Sequence, residues 1–161
     1  MYVKRWNECI DTLIRHLNLK TATWKDERAA SMRFIARSYK NLKRYEESRM
    51  WLDKAIKEAP YLRDAYVERA YLEYALENYK EVEKYCLEAL KITNHTKSYI
   101  NELFSWDHTI YDLLSISTFY QGKVEESLIY VNKALEKSPD NERLQKNKEL
   151  IVNKLNKEKE T

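Results

Sequence analysis

The amino-acid sequence predicts a single all-α domain built from stacked helix pairs, and three observations lead to this prediction. The 161 residues contain one glycine and two prolines, too few for the tight turns of most β architectures. Segments 44–56, 78–90 and 123–135 repeat a pattern of small and apolar residues at steps of three and four, which places them on one helix face. Each segment follows a second amphipathic stretch, so the repeating unit is a pair of helices.

The spacing of three alanines indicates the length of this unit. Ala55 and Ala89 are 34 residues apart, whereas Ala89 and Ala134 are 45 apart, which is one period plus an insertion of 11 residues. A helix pair cannot bury its own apolar face, and stacking successive pairs covers it. We therefore expect the three alanines at close contacts between helices, buried from solvent.

Taken from the N-terminus, this period predicts half a unit, about three full units with one insertion, and a closing helix. Thr23 followed by Asp26 resembles a capping box at the start of the first full unit. Pro60 and Pro139 end the second helices of their units, because proline cannot continue a helix. After Leu155 nothing apolar remains, and we expect the chain to fray there. The predicted segments are a lone second helix (5–19), repeat 1 (24–60), repeat 2 (61–94), the insertion (95–105), repeat 3 (106–139) and a capping helix (140–157) of one domain (1–161).

The units resemble the tetratricopeptide repeat, whose small, aromatic and bulky positions they match. The matching residues are Ala36, Tyr39, Ser48, Leu52, Ala55 and Pro60 in the first unit, Tyr66, Ala70, Val82, Cys86 and Ala89 in the second, and Tyr111, Leu114, Ser115, Gly122, Ser127, Val131, Ala134 and Pro139 in the third. The second unit departs from the pattern, with Asn94 where proline is usual. The resemblance implies a right-handed superhelix of helix-turn-helix repeats that serves in protein interactions.

In this family the exposed side of each first helix lines a concave groove that binds ligands. The resemblance implies that the groove positions here are Arg33, Arg37, Lys40, Asn41, Val67, Glu68, Tyr71, Tyr74, Asp112, Ile116, Phe119 and Tyr120. Such a groove, basic at one end and aromatic in the middle, is expected to hold an extended peptide or a carbohydrate chain. The Lys and Asn pattern of chaperone-binding repeats is not matched at Arg33, Arg37 and Glu68. The alternative is that the insertion or another domain covers this face.

Composition and motifs exclude several other classes of function. The net charge of +3 is dispersed, which does not favour nucleic-acid binding, and no apolar run is long enough to span a membrane. A single glycine excludes glycine-rich phosphate loops. The cysteines and histidines lack the spacing of a metal site or of a nucleophile with its base. We expect no catalytic residue, metal or cofactor, and a cytoplasmic location that keeps Cys9 and Cys86 reduced.

Segments of the chain also resemble the C-terminal tetratricopeptide region of bacterial family 2 glycosyltransferases. These segments are 58–66, 98–102, 106–107, 111–116 and 141–147. This resemblance implies a bacterial accessory module, excised from a longer enzyme, that docks on the catalytic domain, positions a glycan or peptide acceptor, or forms a homodimer. The catalytic half of such enzymes carries a DxD metal motif, which is absent here, so this stretch alone is not expected to transfer sugars. The alternative is a free-standing adaptor that binds a peptide or protein partner in its groove.

Overall fold

The computed structural model describes residues 2–160, with side chains from Arg5 onward, and its regular elements in this part of the chain are all helical. The predicted all-α helical-repeat fold is confirmed. Residues 1 and 161 of the predicted domain lie outside the described residues. In chain order the helices are α1 (Tyr2–Leu17), α2 (Lys25–Asn41), α3 (Tyr45–Glu58), α4 (Arg63–Ala75), α5 (Tyr79–Lys91), a 3-10 helix (Leu103–Ser105), α6 (Thr109–Tyr120), α7 (Val124–Lys137) and α8 (Glu142–Glu160).

Helices α2 and α3, α4 and α5, and α6 and α7 form three pairs, each joined by a turn of three residues. The middle residue of every turn has a left-handed backbone, with φ of 60° at Lys43, 58° at Glu77 and 77° at Gly122. The next amide then bonds back to the preceding helix, as Lys123 does to the Thr118 carbonyl at 2.9 Å. This bond satisfies a carbonyl at the helix end. One turn geometry therefore recurs in all three pairs.

The small residues of the repeat lie where the helices approach each other most closely. Ala55, Ala89 and Ala134 have no exposed surface, as predicted. Within the first pair, the Ser48 hydroxyl donates to the Ala36 carbonyl across the helix contact at 2.9 Å. A larger side chain at either position would push the two backbones apart.

The N-terminal part of the array departs from the sequence prediction in two details. Helix α1 ends at Leu17, two residues before the predicted end. The expected capping box of Thr23 and Asp26 is wrong, because α2 has Trp24 as its N-cap residue and no side-chain capping bond. Asp26 instead accepts a hydrogen bond from the Tyr61 hydroxyl at 2.6 Å, which ties the start of α2 to the turn after α3.

Helix α8 packs against α7 and closes the C-terminal end of the array. Its buried residues are Leu144 and Ile151, which agrees with the apolar spacing in the sequence. The helix continues to Glu160, so the expected fraying after Leu155 is wrong. Each of the described helices is too short or too polar to cross a lipid bilayer.

The connection between α5 and α6 is longer than the sequence predicts. Helix α5 ends at Lys91, and α6 begins at Thr109 instead of residue 106. The Asp107 carboxylate accepts the Thr109 amide at 2.7 Å and so fixes the later start. The insertion contains one helical turn, the 3-10 helix at Leu103–Ser105.

Candidate functional site

Helix α4 contacts both α2 and α6, and the surface shared by these three first helices is called the inner face below. Two clefts open on it. The N-terminal cleft has a volume of about 360 Å³, lies between α2, α4 and the insertion, and is lined by Arg37, Lys40, Asn41, Glu68, Tyr71 and Phe104. The C-terminal cleft has a volume of about 270 Å³, lies between α4, α6 and α8, and is lined by Tyr74, Ile116, Phe119, Tyr120, Arg143, Asn147 and Leu150.

Two arginines and two glutamates join the insertion to the N-terminal cleft. Arg33, which is 3% exposed, donates to Glu68 Oε1 at 2.6 Å and to Glu102 Oε1 at 3.3 Å. Arg37 holds both oxygens of Glu68, at 2.9 Å from Nε and 2.7 Å from Nη2, and also donates to Glu102. The two positive and two negative charges balance. The two arginines at the end of the groove that the sequence predicts to be basic are therefore neutralised by the chain itself.

This cluster shifts the titration of the groups around it. Burial opposes ionisation of Glu102, but the hydrogen bonds and charges of Arg37 and Arg33 outweigh it and hold the carboxyl pKa below its usual value. Burial likewise opposes the charge of Arg37, yet its bonds to Glu68 and Glu102 raise its pKa. Burial lowers the pKa of the neighbouring Lys40, an effect that Glu68 opposes and Arg37 reinforces. Charge matching thus favours the bound position of Glu102.

The backbone of the insertion is held by side chains of α2 and α4. Arg33 Nη2 donates to the Ile100 carbonyl at 3.0 Å. The Asp64 carboxylate, 2% exposed, accepts the Glu102 amide at 2.6 Å and the Ser105 hydroxyl at 3.0 Å. These bonds hold the backbone of the insertion by a carbonyl and an amide at once.

Aromatic contacts fix the insertion beyond Glu102. Phe104 packs edge-on against Tyr71 of α4, with ring centroids 5.9 Å apart. Trp106 lies between the His95 ring, stacked at 4.1 Å, and the Arg63 guanidinium, 3.8 Å from the indole centroid. The insertion therefore covers the α2–α4 half of the inner face, which is the alternative that the sequence left open.

The C-terminal cleft has a different composition. Tyr120 is 63% exposed and stacks on Tyr79 with ring centroids 4.6 Å apart. On the opposite wall, the Arg143 guanidinium makes two bonds to Asp112, at 3.1 and 2.6 Å, which joins α8 to α6. The hydrogen bond to Asp112 raises the pKa of Arg143. The result is a cleft with an aromatic wall and a polar rim, accessible from solvent.

Nine of the twelve groove residues proposed from the sequence line one cleft or the other. Arg33 and Asp112 are buried and hold neighbouring elements through ion pairs. Val67, expected on the groove surface, has no exposed surface and belongs to the core beneath α4. Whether the lining residues bind a ligand stays a prediction.

Sequence reasoning missed the cleft residues that lie outside the full units. Phe104 comes from the insertion, as does Glu102, which pairs with the cleft residue Arg37, and the available signal was the single acidic residue of the insertion beside its apolar residues. Arg143, Asn147 and Leu150 come from α8. A closing helix occupies the place of a further first helix, so applying the same groove positions to α8 could have found them.

No cluster of three or more His, Cys, Asp or Glu that could hold a metal occurs in the part of the chain that the structure describes. Cys86 is buried in the core, and burial raises the pKa of its thiol, which keeps it protonated and unreactive. The features of the inner face are those of a binding surface.

The helix pairs, the recurrent turn and the inner face define an all-α helical-repeat fold of the tetratricopeptide type. Residues 34–61, from the end of α2 to the turn after α3, match the family model for the tetratricopeptide repeat. No curated protein matches the sequence at a significant level.

Solved structures show the same fold over most of the chain. The first tetratricopeptide domain of Spaghetti (RPAP3), bound to the HSP90 peptide SRMEEVD, is 20% identical, with a TM-score of 0.67 over 81% of this chain and 97% of that one. MamA MSR-1 C2 is 11% identical, with a TM-score of 0.70 over 98% of this chain and 81% of that one. The MamA RS-1 ArsTM double mutant is 14% identical, with a TM-score of 0.68 over 96% of this chain and 85% of that one.

Proposed function

We propose that this chain is a non-catalytic interaction module that binds an extended segment of a partner protein in the C-terminal cleft. The observation that carries the proposal is the cleft itself, an accessible channel with an aromatic and aliphatic wall and polar groups at its rim. Such a site suits a peptide, because an apolar side chain fills the channel while rim groups such as Asn147 bond to its backbone.

The choice between the two clefts follows from the insertion, which already occupies the arginines of one of them. In the RPAP3 structure, a domain of the same fold holds an HSP90 peptide. In this chain Arg33 and Arg37 are already paired with Glu68 and Glu102, so an incoming acidic peptide meets no unpaired arginine in the N-terminal cleft. The C-terminal cleft is therefore the one that we assign to the partner segment.

A peptide selection with matched variants tests this function. Random peptides displayed on phage are selected on the immobilised chain, and the enriched peptides are measured against Ile116→Arg, which fills the channel. We expect Ile116→Arg to weaken these peptides at least about tenfold, because it blocks the apolar anchor. Leu87→Arg is the control, since Leu87 is 38% exposed and lies on α5, outside both clefts. Enriched peptides that bind both variants alike would contradict the assignment.

We also propose, from the sequence resemblance alone, that the module serves a bacterial family 2 glycosyltransferase, by docking on its catalytic domain or by positioning an acceptor. The exposed ring of Tyr120 in the C-terminal cleft supports the second role, because sugar rings stack on aromatic faces. A homodimer and a cytoplasmic location stay predictions of the sequence.

A titration with sugars separates these roles. Chitohexaose, used as a probe acceptor, is expected to shift the NMR signals of the Tyr79 and Tyr120 rings, and unchanged signals would exclude this acceptor class. UDP-glucose, followed by calorimetry, is expected to produce no binding heat. Saturable heat with UDP-glucose would contradict the non-catalytic assignment.

A further inference from the structure

The insertion lies in the N-terminal cleft in the manner of a bound peptide. Its residue Glu102 has an extended backbone, with φ of −89° and ψ of 140°. Arg33 holds the Ile100 carbonyl and Asp64 the Glu102 amide, while Arg37 and Tyr71 of the cleft contact the side chains of Glu102 and Phe104. A peptide ligand is recognised in this way, by backbone groups together with side chains that enter a cleft.

Two large side chains of the segment are mostly exposed. Leu103, between Glu102 and Phe104, is 88% exposed, and Tyr99, whose ring lies 5.9 Å from that of Trp24, is 83% exposed. A loop that served only to pack the core would bury such large apolar residues, since each contributes most when removed from water. The exposure of Leu103 and Tyr99 is instead typical of a segment that contacts the protein along one side.

We propose that residues 98–105 are an internal ligand of the N-terminal cleft, and that a partner segment with an acidic residue two positions before an aromatic residue displaces them. The proposal rests on the proposed function in one respect, that partners bind on the inner face. It concerns the other cleft, however, and a different ligand chemistry.

Charge accounts for the acidic requirement. With Glu102 withdrawn, Arg33 and Arg37 face Glu68 alone, so one positive charge in the cluster loses its partner. Lys40 lines the same cleft and adds positive charge. A cleft in this state favours an incoming carboxylate, and a charge-assisted bond to arginine is among the stronger polar contacts in proteins.

Competition sets the size of the expected effect. When the cleft is accessible for only a fraction of the time, the apparent affinity of an external ligand is its intrinsic affinity multiplied by that fraction. Removing the Glu102 charge and the Phe104 ring weakens the internal ligand at both of its side-chain contacts. We therefore expect an external copy of the segment to bind such a variant at least about tenfold more tightly than it binds the natural chain.

The test uses the segment itself as the probe. A fluorescent peptide with the sequence SYINELFS, identical to residues 98–105, is titrated by anisotropy into the natural chain and into the Glu102→Gln, Phe104→Ala double variant. The single variant Glu102→Gln, which preserves side-chain shape, provides a second measurement if the double variant is unstable. Glu81→Gln is the matched charge control, because Glu81 pairs only locally with Lys84 on α5. Circular dichroism verifies that each variant is folded.

Tighter binding to the folded variants, lost when the glutamate of the probe is changed to glutamine, is the expected result. A folded variant that binds the probe no more tightly than the natural chain overturns the proposal, as does equal binding of the acidic and glutamine probes. Ile116→Arg separates this proposal from the proposed function. It blocks the C-terminal cleft, and we expect it to leave binding of this probe to the double variant unchanged.

Discussion

Asp64 is the residue whose removal tests most directly how the insertion is held. One carboxylate oxygen of Asp64 accepts both the Glu102 amide and the Ser105 hydroxyl, at 2.6 and 3.0 Å, and the residue is 2% exposed. We predict that Asp64→Ala opens the insertion while the helix pairs stay folded, because the repeats contact one another independently of these two bonds.

The magnitude follows from the two bonds that are lost. A hydrogen bond to a charged group contributes about 1.5–3 kcal/mol. The released amide and hydroxyl can bond to water, so the lower value applies to each, and the free energy of closing should fall by about 3 kcal/mol. The open population then rises roughly 100-fold, since 1.4 kcal/mol corresponds to a factor of ten. Because global unfolding also starts from the closed state, global stability should fall by a similar amount, with about 0.3–1 kcal/mol more from the lost negative charge in the first turn of α4.

Native-state hydrogen exchange measures the two effects separately. The Ser105 and Asp107 amides bond to the Glu102 and Leu103 carbonyls at 3.1 Å and report on the insertion, whereas the Ala70 amide reports on α4. Ser105 and Asp107 should exchange roughly 100-fold faster in Asp64→Ala through an opening that depends weakly on denaturant, whereas Ala70 should exchange through global unfolding, which depends on it steeply. Unchanged exchange at Ser105 and Asp107 would refute the anchoring role, and an equally steep denaturant dependence at Ser105 and Ala70 would show that the insertion does not open separately.

A control and three further predictions accompany this experiment. Asp53→Ala, the control, removes an exposed carboxylate that pairs with Arg69 on the other side of α4, and exchange of the insertion should not change. Gly122→Ala should lower stability by about 1 kcal/mol in a thermal melt, although its Cβ would meet nothing within 4 Å, because φ is +77°. The reciprocal Glu77→Gly should not lower stability, and a loss there would contradict the backbone explanation. Ala89→Trp should cost about 1–3 kcal/mol or more by overpacking a site with no exposed surface, whereas Leu87→Trp on the same helix should be nearly neutral. Acid should open the insertion. Since the folded pKa of Glu102 is depressed, its stabilisation is present above the usual carboxyl pKa and is lost as the pH falls through the lower folded value. NMR shifts of the Glu102 and Leu103 amides follow that transition, and Glu102→Gln should remove it.

The helix pairs could be predicted from the sequence because local spacing determines them. Ala55 and Ala89 recur at the period of the unit, and both are completely buried. The left-handed turn is less visible, because only Gly122 marks it, while Lys43 and Glu77 adopt the same conformation without glycine. In both turns the next amide bonds back to the preceding helix, from Arg44 to the Tyr39 carbonyl and from Asn78 to the Glu73 carbonyl at 2.9 Å, and these bonds offset a conformation that the side chains disfavour.

The partners of the inner-face arginines could not be predicted in the same way. Arg33 and Glu102 are separated by 69 residues, and no periodicity connects the insertion to α2. The sequence indicates only that 95–105 is too apolar for a free loop. The position of the insertion over α2 and α4 depends on the length of the connection after α5 and on the position of Asp64, and so does the pairing of Glu102 with the arginines. These features are set by the tertiary structure.

The two clefts share α4, and this sharing limits what the inner face can bind. Tyr71 lines the N-terminal cleft and Tyr74 the C-terminal cleft, one turn further along the same helix. With the insertion in place, a partner segment meets Phe104 at α4 and can extend only across α6 to α8. Packed helices are about 8–10 Å apart and an extended chain advances about 3.3 Å per residue, so this path suits five or six residues. Displacing the insertion adds the step from α4 to α2 and lengthens the path by about three residues. The length of the shortest peptide that binds at full affinity therefore reports which state of the insertion the partner recognises.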